Sequence, residues 1–303
     1  MKGTFLEKLL KAAGDGCVRT NEPMVDHTTF RAGGPADYFV TPGTVEEIKN
    51  ITNLCREEGK ELFIMGNGSN VLVGDKGFRG VVLNLGRSFS RCWISGNLLR
   101  ANTGILLSKL SWEAMKAGLA GMEFASGIPG SLGGALFMNA GAYGGEMKQI
   151  VKEATWLLPD GTVETVAGGR LELGYRTSAA QRNGAVFLEA GILLEPGNQS
   201  EIKTKMEELN RRRKEKQPLE YPSAGSTFKR PEGYFAGKLI EEAGLSGLRV
   251  GGASVSAKHC GFVVNDLNGT AADILELCRQ IQQKVWDTFG VRLELEVRTI
   301  GDF

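Results

Sequence analysis

The stretch Ala125–Glu146, ASGIPGSLGGALFMNAGAYGGE, constrains the fold of this chain more than any other. It contains seven glycines, and apolar residues such as Ile128, Leu132 and Leu136 lie between them. Glycine accepts positive φ and lets a second backbone or a ligand approach without a Cβ in the way. The run therefore predicts a buried, sharply turned segment whose N–H groups can cradle a diphosphate-bearing ligand. A set of tight turns in a β-rich domain is the alternative interpretation.

Length and charge exclude several classes of protein. A chain of 303 residues is longer than one ordinary domain, so two or three domains are expected. The net charge of +1, from 36 basic and 35 acidic residues, gives no reason to expect nucleic acid or a membrane surface as a partner. No apolar run approaches the ~18 residues that cross a bilayer, and the N-terminal residues lack the apolar core of a signal peptide.

Cysteine and histidine usage points to a reducing compartment. The five cysteines are scattered and form no C-x-x-C pair, which favours the cytoplasm over a disulfide framework or a zinc site. Only two histidines occur, His27 and His259, so a histidine-rich metal site is excluded and no metal is predicted. His259 and Cys260 are adjacent, but neighbours in a strand point to opposite faces, so a Cys–His nucleophile is not expected.

Local patterns predict a mixture of helices and strands. Thr44 and Glu47 form a capping box that opens a helix, and Leu62–Met65 reads as the strand that follows it. Thr270 opens the last helix with Asp273 as its capping partner, and Gly290 ends this helix. The closing stretch 291–300, VRLELEVRTI, alternates apolar and charged residues and predicts one continuous strand. The fold class expected is α+β.

The loop Gly66–Asn70, GNGSN, follows the strand Leu62–Met65 directly. It begins G-x-G but has Val71 where a dinucleotide fingerprint requires its third glycine, and the residues after it are strand-like. A Rossmann site is therefore not expected. Two interpretations stay open for this loop, namely a phosphate-binding set of N–H donors and an ordinary hairpin turn.

Six motifs in one order carry a family resemblance. They are HTTFRAGGPADYFV, MGNGSNVLV, the glycine-rich segment Ala125–Glu146, GYRTS, PSAGSTFKRP and LELEVRTIG. In this order they resemble the bacterial UDP-N-acetylenolpyruvoylglucosamine reductases over nearly the whole chain.

The resemblance implies an α+β fold of three domains. Two form an FAD-binding unit like that of the vanillyl-alcohol oxidases, and the third binds the nucleotide-sugar substrate. The expected boundaries are 1–87 for the first FAD subdomain, with 297–303 returning to it, 88–213 for the second, and 214–296 for the substrate domain. The residues expected at noncovalent FAD are Gly66, Asn67, Gly68, Ser69, Asn70, Ile128, Pro129, Gly130, Ser131, Gly133, Gly134, Ala140, Gly141 and Tyr143.

The resemblance also implies the chemistry. NADPH reduces FAD, and after NADP has left, hydride passes to the β-carbon of the enolpyruvyl group of UDP-N-acetylglucosamine enolpyruvate. Arg176 and Glu296 are expected to hold and polarise the substrate carboxylate, and Ser226 to protonate the α-carbon. Taken alone, each of the three is more often a turn or surface residue. The product, UDP-N-acetylmuramate, is a peptidoglycan precursor.

Other substrate contacts are assigned with the same resemblance. They are Tyr175, Lys216, Lys229, Arg230 and His259. Only 50 positions separate Arg176 from Ser226, so the chain resembles the shorter members of the family, which lack an inserted tyrosine lid. Ser246 stands where some members carry a lysine for the substrate.

Two other functions compete with this one. A different FAD oxidase or dehydrogenase could share the flavin domains, although the GYRTS, GSTFK and LELEVR motifs belong to the substrate half. A nucleotide-sugar binding protein that has lost catalysis is the second, which intact Arg176, Ser226 and Glu296 oppose. A monomer is expected.

Overall fold

The structure, a computed structural model, describes residues 3–14 and 18–303. The helices are α1 Phe5–Ala13, α2 Val45–Glu57, α3 Leu107–Lys116, α4 Leu132–Phe137, α5 Ala180–Asn183, α6 Gln199–Lys216, α7 Ala236–Glu242 and α8 Ala271–Phe289. The strands are β1 Val18–Pro23, β2 Pro35–Val40, β3 Leu62–Met65, β4 Val71–Val73, β5 Phe78–Asn84, β6 Cys92–Ser95, β7 Leu98–Asn102, β8 Leu119–Ala120, β9 Gly141–Ala142, β10 Gly145–Glu146, β11 Val151–Leu157, β12 Val163–Ala167, β13 Val186–Leu193, β14 Glu195–Pro196, β15 Arg249–Val250, β16 Ala253–Val255, β17 Val263–Asn265 and β18 Arg298–Ile300.

The chain divides into two compact units. The first comprises the described residues up to Thr20 together with Tyr38–Asn67 and Gly80–Arg212, and the second comprises Asn21–Asp37, Gly68–Arg79 and Arg213–Phe303. The three-domain boundaries expected from the resemblance stay a prediction.

The first unit is built on two sheets. Strand β3 pairs in parallel with β5, and helices α1 and α2 bury Leu9, Ile48 and Ile51 in a core shared with these strands. The second sheet has the order β12-β11-β13-β7-β6 and is antiparallel throughout. Helices α3 and α4 bury their leucines in the core that includes residues of this sheet, and α4 is the centre of the glycine-rich segment.

The second unit has its core around helix α8. This helix packs against α7 and the antiparallel sheet β15-β16-β17, and buries Ile274, Leu277, Ile281 and Val285. Strand β18 pairs in parallel with β4, with Arg298 opposite Val71.

The helix starts predicted from the sequence are confirmed. The Thr44 hydroxyl accepts from the Glu47 N–H at 3.2 Å, and the Glu47 carboxylate accepts from the Thr44 N–H at 3.3 Å. Thr270 and Asp273 form the same reciprocal pair at the start of α8. Each box satisfies backbone donors that the first helical turn leaves without an intrahelical partner.

The prediction of one continuous closing strand is wrong. Only Arg298–Ile300 is a strand, and before it a single bridge joins Leu295 to Phe228. The alternation in the sequence does report burial, because Leu293 and Val297 are buried while Glu294 is exposed. Period-two burial needs only an extended backbone, whereas a strand also needs a partner along its length.

Some features are absent from the described residues. None of their helices is long and apolar enough to span a membrane, and no three His, Cys, Asp or Glu side chains in these ranges come together as metal ligands. The four described cysteines are free thiols. Burial raises the pKa of Cys55 to about 11, so that thiol stays protonated at neutral pH.

Asp75 provides a test of what holds the start of α8. Its carboxylate accepts from the N–H groups of Ala271 and Ala272, each at 2.8 Å. Asp75→Ala should lower the free energy of unfolding by about 1–2 kcal/mol, because two helix N–H groups lose their acceptor. Urea unfolding measures the change. Asp287→Ala, an exposed position near the end of the same helix, is the control and should change stability by less than about 0.5 kcal/mol.

Candidate functional site

The glycine-rich segment folds into a short helix with an extended approach. Ser131 caps α4, with its hydroxyl accepting from the Gly134 N–H at 3.4 Å. Before the cap the backbone pairs with residues 103–107: the Leu107 N–H donates to Gly130 O at 3.0 Å, and the Leu132 N–H to Ile105 O at 2.8 Å. The segment is therefore buried and turned as predicted. It also contains helix α4, which was not predicted because glycines disfavour a helix.

The first two residues of the loop after β3, Gly66 and Asn67, contact this segment within the first unit. The Asn67 amide donates to Pro129 O at 2.6 Å. A Cβ built on Gly66 would lie 2.0 Å from the Ser131 hydroxyl oxygen, far inside van der Waals contact. Glycine at position 66 is therefore required by the close approach of the two loops rather than by φ.

Several polar groups of these loops lack a partner. The N–H groups of Asn67, Gly127 and Gly130 donate no hydrogen bond to any atom that the structure describes. Among the described residues the buried Ser126 hydroxyl likewise has no hydrogen-bond partner. Asn67 is exposed and Gly127 and Gly130 are half-buried, so their N–H groups are open to water or to a ligand with several acceptor oxygens. The buried Ser126 hydroxyl is the group whose missing partner costs free energy. These donors are compatible with the ligand cradle, which stays a prediction.

A tight hairpin continues the segment. Strands β9 and β10 pair with Ala142 opposite Gly145, and the two residues between them, Tyr143 and Gly144, have φ of +54° and +87°. Positive φ at both central positions is the signature of a type I′ turn. The Tyr143 side chain is 44% exposed at the tip of the turn, where it is available to a ligand.

Arg176 sits in a strained two-residue turn. Gly174 and Thr177 exchange backbone hydrogen bonds of 3.1 and 3.3 Å around Tyr175 and Arg176. Arg176 has φ of +55°, which costs a residue with a Cβ roughly 1–2 kcal/mol. Such strain clusters at functional sites. The Tyr175 ring is 56% exposed and lies 5.3 Å from the guanidinium carbon.

Polar side chains tie this turn to the glycine-rich segment. The Asn139 amide donates to Gly174 O at 3.1 Å and to the Glu146 carboxylate at 3.1 Å, and its oxygen accepts from the Lys148 N–H at 2.9 Å. The Ser178 hydroxyl donates to Phe137 O at 2.9 Å, and the Gln181 amide donates to the same carbonyl at 2.6 Å.

Sequence reasoning gave Asn139, Ser178 and Gln181 no role in holding the arginine turn. The sequence offers only weak signals for this role: Asn139 follows a helix, and Ser178 and Gln181 follow the arginine turn. Three of the contacts join residues at least 35 positions apart, a separation that no local pattern reports.

In the second unit the structure brings Ser226 and Glu296 onto paired segments. The Glu296 N–H donates to Thr227 O at 2.9 Å, and the Lys229 N–H donates to Glu294 O at 2.8 Å. Ser226 is exposed beside this pairing and Glu296 is half-buried. The Asn70 amide donates to Glu296 O at 3.0 Å, so one predicted cofactor residue contacts the backbone of a predicted catalytic one. Arg176 belongs to the first unit.

Four of the predicted substrate contacts, Lys216, Lys229, Arg230 and His259, belong to the second unit. The Lys229 ammonium pairs with Glu294 at 3.0 Å, and Arg230 stacks on the Phe235 ring at 3.9 Å. Lys216 ends α6 with an exposed side chain. His259 lies in a turn, not a strand, and burial lowers its pKa, which keeps the ring neutral at pH 7.

Substitution of Gly66 tests the close approach of the two loops. Gly66→Ala should lower the free energy of unfolding by about 1–3 kcal/mol, because its Cβ displaces the Ser131 hydroxyl from the Gly134 N–H and lies 3.1 Å from the Ser131 Cβ. Adding Ser131→Gly should restore part of the loss by removing the clashing atom. Gly169→Ala, where a Cβ meets nothing within 4 Å, is the control. Unchanged urea unfolding in Gly66→Ala would contradict the close approach.

Comparison with known proteins identifies both parts of the chain. Residues 36–167 match the family model of the FAD binding domain, and residues 217–300 match the C-terminal domain of UDP-N-acetylenolpyruvoylglucosamine reductase. The UDP-N-acetylenolpyruvoylglucosamine reductase of Clostridium botulinum (strain Eklund 17B) is 51% identical over 95% of this chain and 94% of the relative. That of Clostridioides difficile (strain 630) is also 51% identical, over 94% of each chain.

Solved structures agree with this. The crystal structure of UDP-N-acetylenolpyruvylglucosamine reductase from Thermus caldophilus has a TM-score of 0.81 and 37% identity, covering 94% of this chain and 98% of that one. An alkyldihydroxyacetonephosphate synthase, at 16% identity and a TM-score of 0.50 over 63% of this chain and 40% of that chain, shares the fold alone. The expected class, a mixed α and β fold with an FAD-binding unit and a separate C-terminal domain, is confirmed. The chain is an FAD-dependent oxidoreductase and belongs to the UDP-N-acetylenolpyruvoylglucosamine reductase family.

Proposed function

We propose that this protein reduces UDP-N-acetylglucosamine enolpyruvate to UDP-N-acetylmuramate, with NADPH as the source of hydride and FAD as a noncovalent cofactor. The observation that carries the proposal is the short pairing in the second unit between the Ser226 and Glu296 segments, with the Glu296 N–H on Thr227 O at 2.9 Å. This pairing brings the backbones of a hydroxyl-bearing and a carboxylate-bearing residue together, and protonation of a substrate carbon needs a positioned side-chain acid.

The first unit offers a donor set that fits the FAD diphosphate. The N–H groups of Asn67, Gly127 and Gly130 and the Ser126 hydroxyl lack protein acceptors within the described residues, and phosphate oxygens would supply them. The residues proposed to hold FAD are Gly66–Asn70, Ile128–Ser131, Gly133, Gly134, Ala140, Gly141 and Tyr143. Neither histidine nor cysteine occurs in Ala125–Glu146, in keeping with a noncovalent flavin. Bound FAD supplies hydride transfer between NADPH and the β-carbon of the substrate.

The proposed roles of the side chains follow from charge development. Arg176 binds the substrate carboxylate, where negative charge accumulates as the β-carbon is reduced, and Glu296 orients that carboxylate and its partners. Ser226 then donates its proton to the α-carbon. A serine hydroxyl is a weak acid, and it can serve because an enolate-like carbon is a strong base.

Basic and aromatic residues are proposed to bind the rest of the substrate. Lys216, Lys229 and Arg230 are candidates for the diphosphate, and Lys229 must then exchange its ion pair with Glu294. Nδ1 of neutral His259 accepts from the Gly261 N–H at 3.1 Å, so Nε2 carries the proton and is proposed to donate to the sugar nucleotide. The exposed Tyr175 ring is proposed to pack on the substrate. We further propose a monomer that carries out a cytoplasmic step of peptidoglycan precursor synthesis.

Ser226→Ala separates hydride transfer from proton transfer. The variant should bind FAD and be bleached by NADPH at a normal rate, because neither step takes a proton from Ser226. Reoxidation by the enolpyruvyl nucleotide should slow by roughly 10²–10⁴-fold, the usual effect of losing a general acid. Stopped-flow absorbance of the flavin measures each half-reaction separately.

A control and a rescue accompany the Ser226 test. Ser223→Ala, three residues earlier in the same loop, should leave both half-reactions unchanged. Ser226→Cys should recover part of the rate, since a thiol is the stronger acid. Reoxidation of Ser226→Ala at the wild-type rate would remove Ser226 from the reaction.

The order of binding gives a second test of the function. We propose that the nicotinamide and the sugar nucleotide take turns at one cleft, since the chain lacks a Rossmann fingerprint for NADPH. Double-reciprocal plots of rate at several fixed NADPH concentrations should be parallel, with substrate inhibition at high concentration. Intersecting lines would show a ternary complex and contradict a shared cleft.

A further inference from the structure

Gln181 joins the two motifs of the first unit at a single amide group. It lies in α5, and its Nε2 donates to Phe137 O at 2.6 Å and to Arg176 O at 3.1 Å. A side-chain amide has two N–H donors, enough for the two carbonyls, and the Met138 sulfur, a weak acceptor, lies 3.7 Å from the same nitrogen. Phe137 ends α4 in the glycine-rich segment, and Arg176 is the tip residue of the strained turn.

The side chains of Asn139 and Ser178 bind at or beyond the ends of the turn, whereas the Gln181 side chain binds the backbone of Arg176 itself. Asn139 binds the carbonyl of Gly174, where the turn begins, and Ser178 lies beyond its end. Asn139 and Ser178 are buried, at 2% and 0% exposure, so they are part of the folded core. Gln181 is exposed, and its hydrogen bonds therefore add little to the core while they fix the carbonyl of a residue in an unfavourable φ region.

We propose that Gln181 is a positioning residue that holds Arg176 in the orientation needed to bind the substrate carboxylate, using the end of α4 as its anchor. This inference rests on the proposed role of Arg176. Gln181 contacts neither substrate nor reacting atoms in this role and acts through the Arg176 backbone. Its loss should therefore slow the half-reaction that uses Arg176 and spare the one that does not.

The test uses the whole FAD-loaded protein and three variants. Gln181→Met keeps the length of the side chain but removes both donors, and Gln181→Lys keeps donors. Gln199→Met is the matched control, because Gln199 is also exposed and its amide also donates to a distant main-chain carbonyl, Lys116 O at 2.7 Å. FAD content, urea unfolding and the two half-reactions are measured for each.

The expected pattern is specific to positioning. In Gln181→Met, FAD content and reduction by NADPH should stay within about twofold of wild type, and reoxidation by the enolpyruvyl nucleotide should slow about 10- to 100-fold, the effect of a small misplacement of a binding group. Gln181→Lys should recover part of that loss, and Gln199→Met should behave as wild type. Loss of FAD, or equal slowing of both half-reactions, would make Gln181 a structural residue only and overturn the proposal.

A double variant separates this inference from the function beneath it. If Gln181 acts through Arg176, then Gln181→Met should slow reoxidation no further in an Arg176→Ala background. Additive losses, or wild-type reoxidation in Gln181→Met when Arg176→Ala is slow, would overturn the inference and leave the proposed function standing. Wild-type reoxidation in Arg176→Ala would overturn the role of Arg176 and the inference with it.

Discussion

The carbonyl groups at the end of α4 are the constraint on which the site of the first unit depends. A helix leaves its last carbonyls without intrahelical donors, and α4 is only six residues long. Ser178 and Gln181 supply donors to Phe137 O, and both lie just after the arginine turn. The hydrogen bonds that satisfy the Phe137 carbonyl therefore also fix the position of the arginine turn. The same contacts serve both the end of α4 and the geometry of the site.

Three of the seven described non-glycine residues with positive φ lie in the two motifs joined here. Asn139, Tyr143 and Arg176 all have positive φ, at +42°, +54° and +55°. Each of these residues carries a side chain that a glycine would not supply: an amide with three hydrogen bonds, an exposed ring and a guanidinium. Strain of this kind persists only where surrounding contacts overdetermine the backbone, and the Asn139 network provides such contacts.

The local structure was largely predictable from sequence, and the long-range contacts were not. The capping boxes at Thr44 and Thr270 were predicted because both members of each lie within one helical turn. The closing strand was mispredicted because alternation reports which side chains are buried and says nothing about a hydrogen-bonding partner. Glycine at 66 suggested a turn, whereas its cause is Ser131, 65 positions later. The resemblance supplied the names of candidate site residues, and it could not supply the positioning side chains of Asn139 and Gln181.

Thr227 shows how the second unit combines a rigid backbone with an exposed hydroxyl next to it. Its N–H donates to Gly261 O at 2.9 Å, its carbonyl accepts from the Glu296 N–H at 2.9 Å, and its hydroxyl accepts from the Val263 N–H at 2.9 Å. Thr227 is 1% exposed, while Ser226 beside it is exposed. A proton donor to carbon must be held at a fixed distance yet be open to the substrate. Buried Thr227 holds the backbone beside Ser226 at a fixed distance, and it leaves the Ser226 hydroxyl open to the substrate.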